Sequence, residues 1–129
     1  MGPVNWVAVV LAAGVATLLA AVWHGPLFRT GRLIPQRGTA TDNLGLTVAV
    51  MLVGTAMLGH SYARIGADTL ALKPWLFWMQ SGGIAIAFII PALWLASARA
   101  GTDIRSRLIE SGFWLIAYLV IGTVFWALS

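Results

Sequence analysis

The sequence predicts an all-α protein, a four-helix transmembrane bundle in a single membrane domain spanning residues 1–129. Three observations predict it. Hydrophobic residues make up 60% of the chain and charged ones only 9%, where a soluble domain carries about 25% charged residues. The apolar residues gather into four long runs whose connecting segments hold or border all eight basic side chains. Most of the seven tryptophans fall near the ends of those runs, as the amphipathic indole favours at a membrane–water boundary.

The spans are predicted over about 4–24, 44–64, 74–97 and 107–128. The first apolar stretch, Val4 to Val22, covers roughly 28 Å as a helix, close to the ~30 Å hydrocarbon core. No Lys or Arg precedes it, and it exceeds the ~7–15 residues of a signal-peptide core, so a retained span is expected. Gly25 and Pro26 are read as ending this helix, because proline lacks an N–H and disfavours helix in the residue before it. Asp42 or Asn43 suits the N-cap of the second span, Pro74 the first turn of the third, and Asp103 or Ser106 the cap of the fourth. Pro91, inside the third span, is expected to kink or end it.

Basic residues set the expected orientation. The first loop holds Arg29, Arg32 and Arg37, the third Arg99, Arg105 and Arg107, and the middle one only Arg64 and Lys73. By the positive-inside rule the first and third loops face the cytoplasm, giving an up-down topology with both termini on the outer face. Trp6, Trp75, Trp78 and Trp126 then anchor the outer interface, and Trp23 and Trp94 the inner one; Trp114 lies deeper. The net charge of +4 sits in loops without a basic, aromatic-interleaved stripe, which points to lipid headgroups and not to nucleic acid. The longest loop, about Phe28 to Thr41, reads as a solvated linker on the membrane surface.

Lipid supplies no hydrophobic force between helices, so small residues that admit close approach mark packing faces. Span one offers Ala8, Ala12, Ala16 and Ala20; span two Thr55, Gly59 and Ala63; span three Gly83 and Ala87, continued by Pro91. Each face can serve this bundle or another chain.

Polar groups at membrane depth are few. His24 and Glu110 share a depth near one face, which makes them a candidate polar pair. Asn5, His60 and Gln80, nearer the other face, are candidate interhelical contacts. Two plainer readings stand beside these: a histidine closing the C-terminus of a helix, and a glutamate favoured by the dipole in the first turn of one. His24 and His60 each follow an alanine by four residues, Ala20 and Ala56, a spacing that leaves room over the imidazole for a flat macrocycle. That keeps pigment or haem ligation as a minor alternative at either histidine, though no cofactor is expected. The chain has no cysteine, no phosphate-binding glycine loop, no metal-ligand cluster and no serine–histidine arrangement, so neither a metal site nor a catalytic residue is nominated and no enzyme is expected.

Two stretches carry a family resemblance. Asn5-Trp6 opens an apolar helix that leads to Trp23-His24-Gly25-Pro26-Leu27-Phe28, and Leu108-Ile109-Glu110-Ser111-Gly112-Phe113 leads to Ile121-Gly122-Thr123 and Trp126. Together they resemble the small bacterial membrane proteins grouped as domain of unknown function 1761. Where the family usually has a tyrosine before the small residue this chain has His24, and the usual asparagine of the last helix is replaced near Glu110-Ser111. The resemblance implies a four-helix protein of the bacterial cytoplasmic membrane and brings no activity with it. The functional expectation is a structural or accessory membrane protein that assembles with itself or packs against a larger membrane complex. A small oligomeric transporter or channel is the alternative and a pigment- or haem-binding subunit the third. The centre of span one, Gly14-Val15-Ala16-Thr17, carries no ionisable group, which counts against a transporter.

Overall fold

The computed structural model describes residues 3–27 and 40–129. Most of the first loop, with Arg29, Arg32 and Arg37, lies outside the described residues. Helix α1 (Trp6–Val22) is capped by Asn5, whose side-chain oxygen accepts from the Ala8 N–H at 3.1 Å. It runs on into a π-helical turn, Trp23–Leu27. Gly25 and Pro26 thus do not stop the helix where the sequence reading places its end. The wider turn keeps the chain helical although proline has removed one N–H donor.

Helix α2 (Ala40–Ile65) begins before Asp42 and Asn43, so both lie inside its first turn and neither is its cap. Gly66, at φ 94°, turns the chain where other residues are strained, and it starts a short helix α3 (Ala67–Leu72). The third span comprises α4 (Leu76–Ile84), a π-helical turn Ala85–Ile89, and α5 (Ile90–Arg99). Pro91 does not end it. A proline ring crowds the carbonyl four residues back, and the π turn just upstream widens the helix there, with the Ile90 N–H reaching the Ala85 carbonyl five residues back.

At the end of α5 the Thr102 N–H bonds to the Ser97 carbonyl and the Gly101 N–H to that of Ala98. With Gly101 at φ 72°, this is the Schellman arrangement that closes a helix on a left-handed glycine. Asp103 then takes the N-cap position of α6 (Ile104–Ala127), which carries Arg105 and Arg107 in its first turn. The Ser106 hydroxyl donates to Asp103 Oδ1 at 2.6 Å and holds that carboxyl below its ordinary range.

Four helical stretches, Trp6–Gly25, Leu44–Ile65, Leu76–Arg99 and Ile104–Ala127, are long and apolar enough to cross a membrane. Among the described residues there is no strand. Helix α1 packs against α2 and α6, and α6 also packs against α4. The small residues Ala8, Ala12 and Ala16 are fully buried, and Ala20 partly so, along the inward face of α1. Thr55 is fully buried on α2, Gly59 is buried beside it, and Ala63 is half-buried. A Cβ on Gly59 would lie 2.8 Å from Val9, so the glycine sets the approach of α1 to α2.

Span three departs from the expected face. Gly83 and Ala87 are exposed, and the buried face is Phe77, Ser81, Gly82 and Ala85. The contact on α6 decides this. Gly122 lies close against the Phe77 carbonyl and the Ser81 hydroxyl, which draws in the face one to two positions away from the Gly83 stripe. Outward positions are apolar, among them Leu18 at 69%, Val53 at 72% and Phe88 at 70% exposure. Such surfaces suit lipid and would aggregate in water.

Candidate functional site

The site forms where the end of α1 meets the start of α6. The Trp23 indole N–H donates to the Ile109 carbonyl at 3.1 Å, which ties the π turn to α6. Gly112 lets the indole lie close, since a Cβ there would stand 3.3 Å from the Trp23 ring. The same turn delivers His24 to Glu110, with Nε2 and Oε1 2.6 Å apart. The two side chains keep 25% and 22% of their surface exposed. Glu110 therefore sits in the second turn of α6, beyond the first-turn position that the dipole would favour, and it faces an imidazole. Phe113 packs edge-on to that imidazole with ring centres 4.8 Å apart.

The protonation of this pair follows from geometry. His24 Nδ1 lies 3.0 Å from the Ala20 carbonyl. A carbonyl only accepts, so Nδ1 carries a proton and donates it. Nε2 and Oε1 at 2.6 Å then require a second proton between them, since two lone pairs at that distance repel. The pair holds this proton jointly, as imidazolium with carboxylate or as imidazole with carboxylic acid, and it is electrically neutral in either form. It opens onto a cleft of about 220 Å³ walled by Leu46, Thr47, Val50 and Met51 of α2, Ala20 of α1, and Phe113 and Trp114 of α6.

The other predicted polar residues lie at the opposite end of the bundle. The Asn5 amide donates to the Leu128 carbonyl at 3.1 Å and joins the start of α1 to the end of α6. His60 Nδ1 lies 2.8 Å from the Ala56 carbonyl, and its ring meets Trp6 edge-on at 5.7 Å. Gln80 is half-buried and makes no side-chain hydrogen bond among the described residues, so it joins neither Asn5 nor His60. Trp6, Trp75, Trp78 and Trp126 lie at this end, with Trp78 and Trp126 rings 5.6 Å apart. Trp23 and Trp94 lie at the His24 end, where the Trp94 indole donates to Ser111 at 2.6 Å and the Arg107 guanidinium sits 5.7 Å over its ring.

The sequence reading gave no role to Tyr62. Its hydroxyl donates to the Phe77 carbonyl at 2.6 Å, which also receives the Ser81 hydroxyl at 3.0 Å. The ring lies between Phe77 and Phe125, with centroids 5.0 and 4.9 Å away. Its place on the buried phase of α2, four residues after Leu58, was the signal available. This region borders a larger cleft of about 550 Å³, lined by Asn5, Gly59, Tyr62, Asp68, Phe77 and Phe125 among others. Among the described residues no group of three His, Asp or Glu side chains is placed to hold a metal ion.

A family model described as a protein of unknown function (DUF1761) matches residues 7–126, nearly the whole chain, and the chain belongs to that family. No curated protein and no solved structure matches it.

Proposed function

We propose that this member of the DUF1761 family is a structural or accessory protein of the bacterial cytoplasmic membrane, which self-assembles or packs against a larger membrane complex through its third span. One observation carries the reading. The small-residue stripe Gly83, Ala87 and Pro91 faces away from the bundle, and α5 buries none of its residues within the chain. The stripes on α1 and α2 serve the interior, whereas this one is left for an outside helix. The loop charges favour an orientation with both termini outside.

The test is purification from native membranes in mild detergent with subunit mass spectrometry. A fixed-stoichiometry oligomer or partner is expected, and Gly83→Leu should dissolve it without unfolding the chain, because nothing lies within 4 Å of the Cβ position. A chain that runs as a lone monomer, or an assembly indifferent to Gly83→Leu, rules the reading out.

A second reading, the small oligomeric transporter, is favoured by one feature: the His24–Glu110 pair lines an open cleft. Haem or pigment ligation at His24 would require displacing Glu110 from Nε2. At His60 the Ala56 contact engages Nδ1 and leaves Nε2 as the ligating atom.

A further inference from the structure

We propose that the larger cleft, beside α3 at the Tyr62 end of the bundle, holds the alkyl tail of a single-chain amphiphile. The reading concerns one bound lipid-like molecule and is independent of whether the chain assembles through its third span. The walls of the cleft, its polar groups and its position support it together.

The walls are apolar and come from several elements. Tyr62 of α2, Phe77 of α4 and Phe125 of α6 are buried along it, and Leu70 of α3 is buried with them. The room comes from small side chains. Gly59, Ala63, Ala67 and Ala71 line the cleft at intervals of four residues, from the end of α2 through α3. The turn at Gly66, with φ 94°, sets α3 against this wall. At about 550 Å³ the cleft falls within the ~300–1,000 Å³ of small-molecule sites, which admits one tail and not a whole two-tailed phospholipid.

The polar groups along the cleft are bonded to the protein itself. The Tyr62 hydroxyl donates to the Phe77 carbonyl. The Asn5 amide donates to the Leu128 carbonyl, and its oxygen accepts from the Ala8 N–H. An enclosed water needs about two to four polar partners, and a polar ligand needs a few well-placed ones. The inner wall has little of either kind to offer, so it selects an apolar body held by van der Waals contact. Asn5 and Asp68, both exposed, line the mouth. The polar end of a ligand belongs there and its tail inside.

Position names the apolar body. Trp6, Trp75, Trp78 and Trp126 lie at this end, and tryptophans gather where lipid chains meet headgroups. The outward faces of the helices are apolar and suit lipid. A tail in the cleft with its head at the mouth matches that boundary.

The test uses the full chain in phosphatidylcholine nanodiscs with a diazirine-bearing dodecanol as photoprobe, an uncharged molecule whose tail alone carries the binding. Peptide mass spectrometry locates the label. Labelling of residues 59–77 and of Phe125 should saturate, and about a tenfold excess of plain dodecanol should lower it about tenfold, as mass action at one site requires. Labelling at lipid-facing Leu18, Val53 and Phe88 should rise without a plateau. Ala67 and Ala71 are exposed at the cleft, so Ala67→Trp and Ala71→Trp should each fill it and remove the saturable label while thermal unfolding stays near that of the parent. Leu72→Trp, at a position 83% exposed and outside the lining, should keep the label. Labelling that never saturates, that survives both filled variants, that Leu72→Trp removes as well, or that naphthalene displaces as effectively as dodecanol overturns the proposal.

Discussion

The two ends of this bundle solve the same problem differently. At one end Tyr62, Ser81 and the Phe77 carbonyl form a knot of neutral hydrogen bonds, with Tyr62 at 5% and Ser81 at 0% exposure. At the other end His24 and Glu110 form an ionisable pair, and each keeps about a quarter of its surface open. Neutral donors and acceptors satisfy one another and can be enclosed. An ionisable pair needs water or counter-charge for the states it passes through. The enclosed end is thus fixed by neutral bonds among its own groups, whereas the open end keeps access to solvent.

The largest expected effect lies at the enclosed end. Gly122→Ala places a Cβ 2.5 Å from the Ser81 hydroxyl and 3.0 Å from the Phe77 carbonyl oxygen, and it should cost about 1–3 kcal/mol in detergent unfolding experiments. A variant as stable as the parent would mean that the enclosed end is looser than its contacts imply. At the open end His24→Ala and Glu110→Gln should be non-additive, with a coupling of about 1 kcal/mol in a double-mutant thermal-unfolding cycle. Additive losses would show two side chains that touch without depending on each other. Tyr62→Phe removes one hydroxyl from the Phe77 carbonyl while Ser81 still donates to it, so a loss of about 0.5–1.5 kcal/mol is expected from equilibrium unfolding.

The smallest effect concerns Asp103, at the cap of α6. Its carboxyl is held below the ordinary range, first by the Ser106 hydroxyl. A depressed carboxyl contributes stability above its unfolded pKa, and that contribution is lost as pH falls through the folded value. Ser106→Ala should raise the Asp103 pKa toward the ordinary range and flatten this acid-side dependence, as read by carboxyl NMR titration. An unmoved Asp103 would place the cause of its shift elsewhere.

Much of this fold was legible because hydropathy over some twenty residues is a coarse signal that local detail does not erase. The four spans emerged within a few residues of their helices, and the matched depth of His24 and Glu110 singled out a pair that the structure holds at 2.6 Å. The errors share one cause. Which face of span three turns inward is decided by Gly122, some forty residues away, and a phase shift of one to two residues sets the inward face at Ser81, Gly82 and Ala85 instead of Gly83 and Ala87. Proline likewise read as a stop at Pro26, and as a kink or an end at Pro91, because local rules do not anticipate that a π turn will carry the helix on. Tyr62 carried no spacing motif; only its partner Phe77, across the turn, gives it a role.

The π turn at Ala85–Ile89 has a bearing on how this chain tolerates change in length. Such a turn holds one residue more than the α-helical path needs, and each residue rotates a helix by about 100°. Deleting one residue there would leave a continuous hydrophobic span of nearly the same reach, invisible to a hydropathy profile. It would nonetheless swing everything beyond it around the axis and carry Trp94 away from Ser111 and Arg107. The span is thus forgiving as a membrane crossing and exacting as a surface. A shortened relative with an intact apolar run would present a different side of α5 to its neighbours.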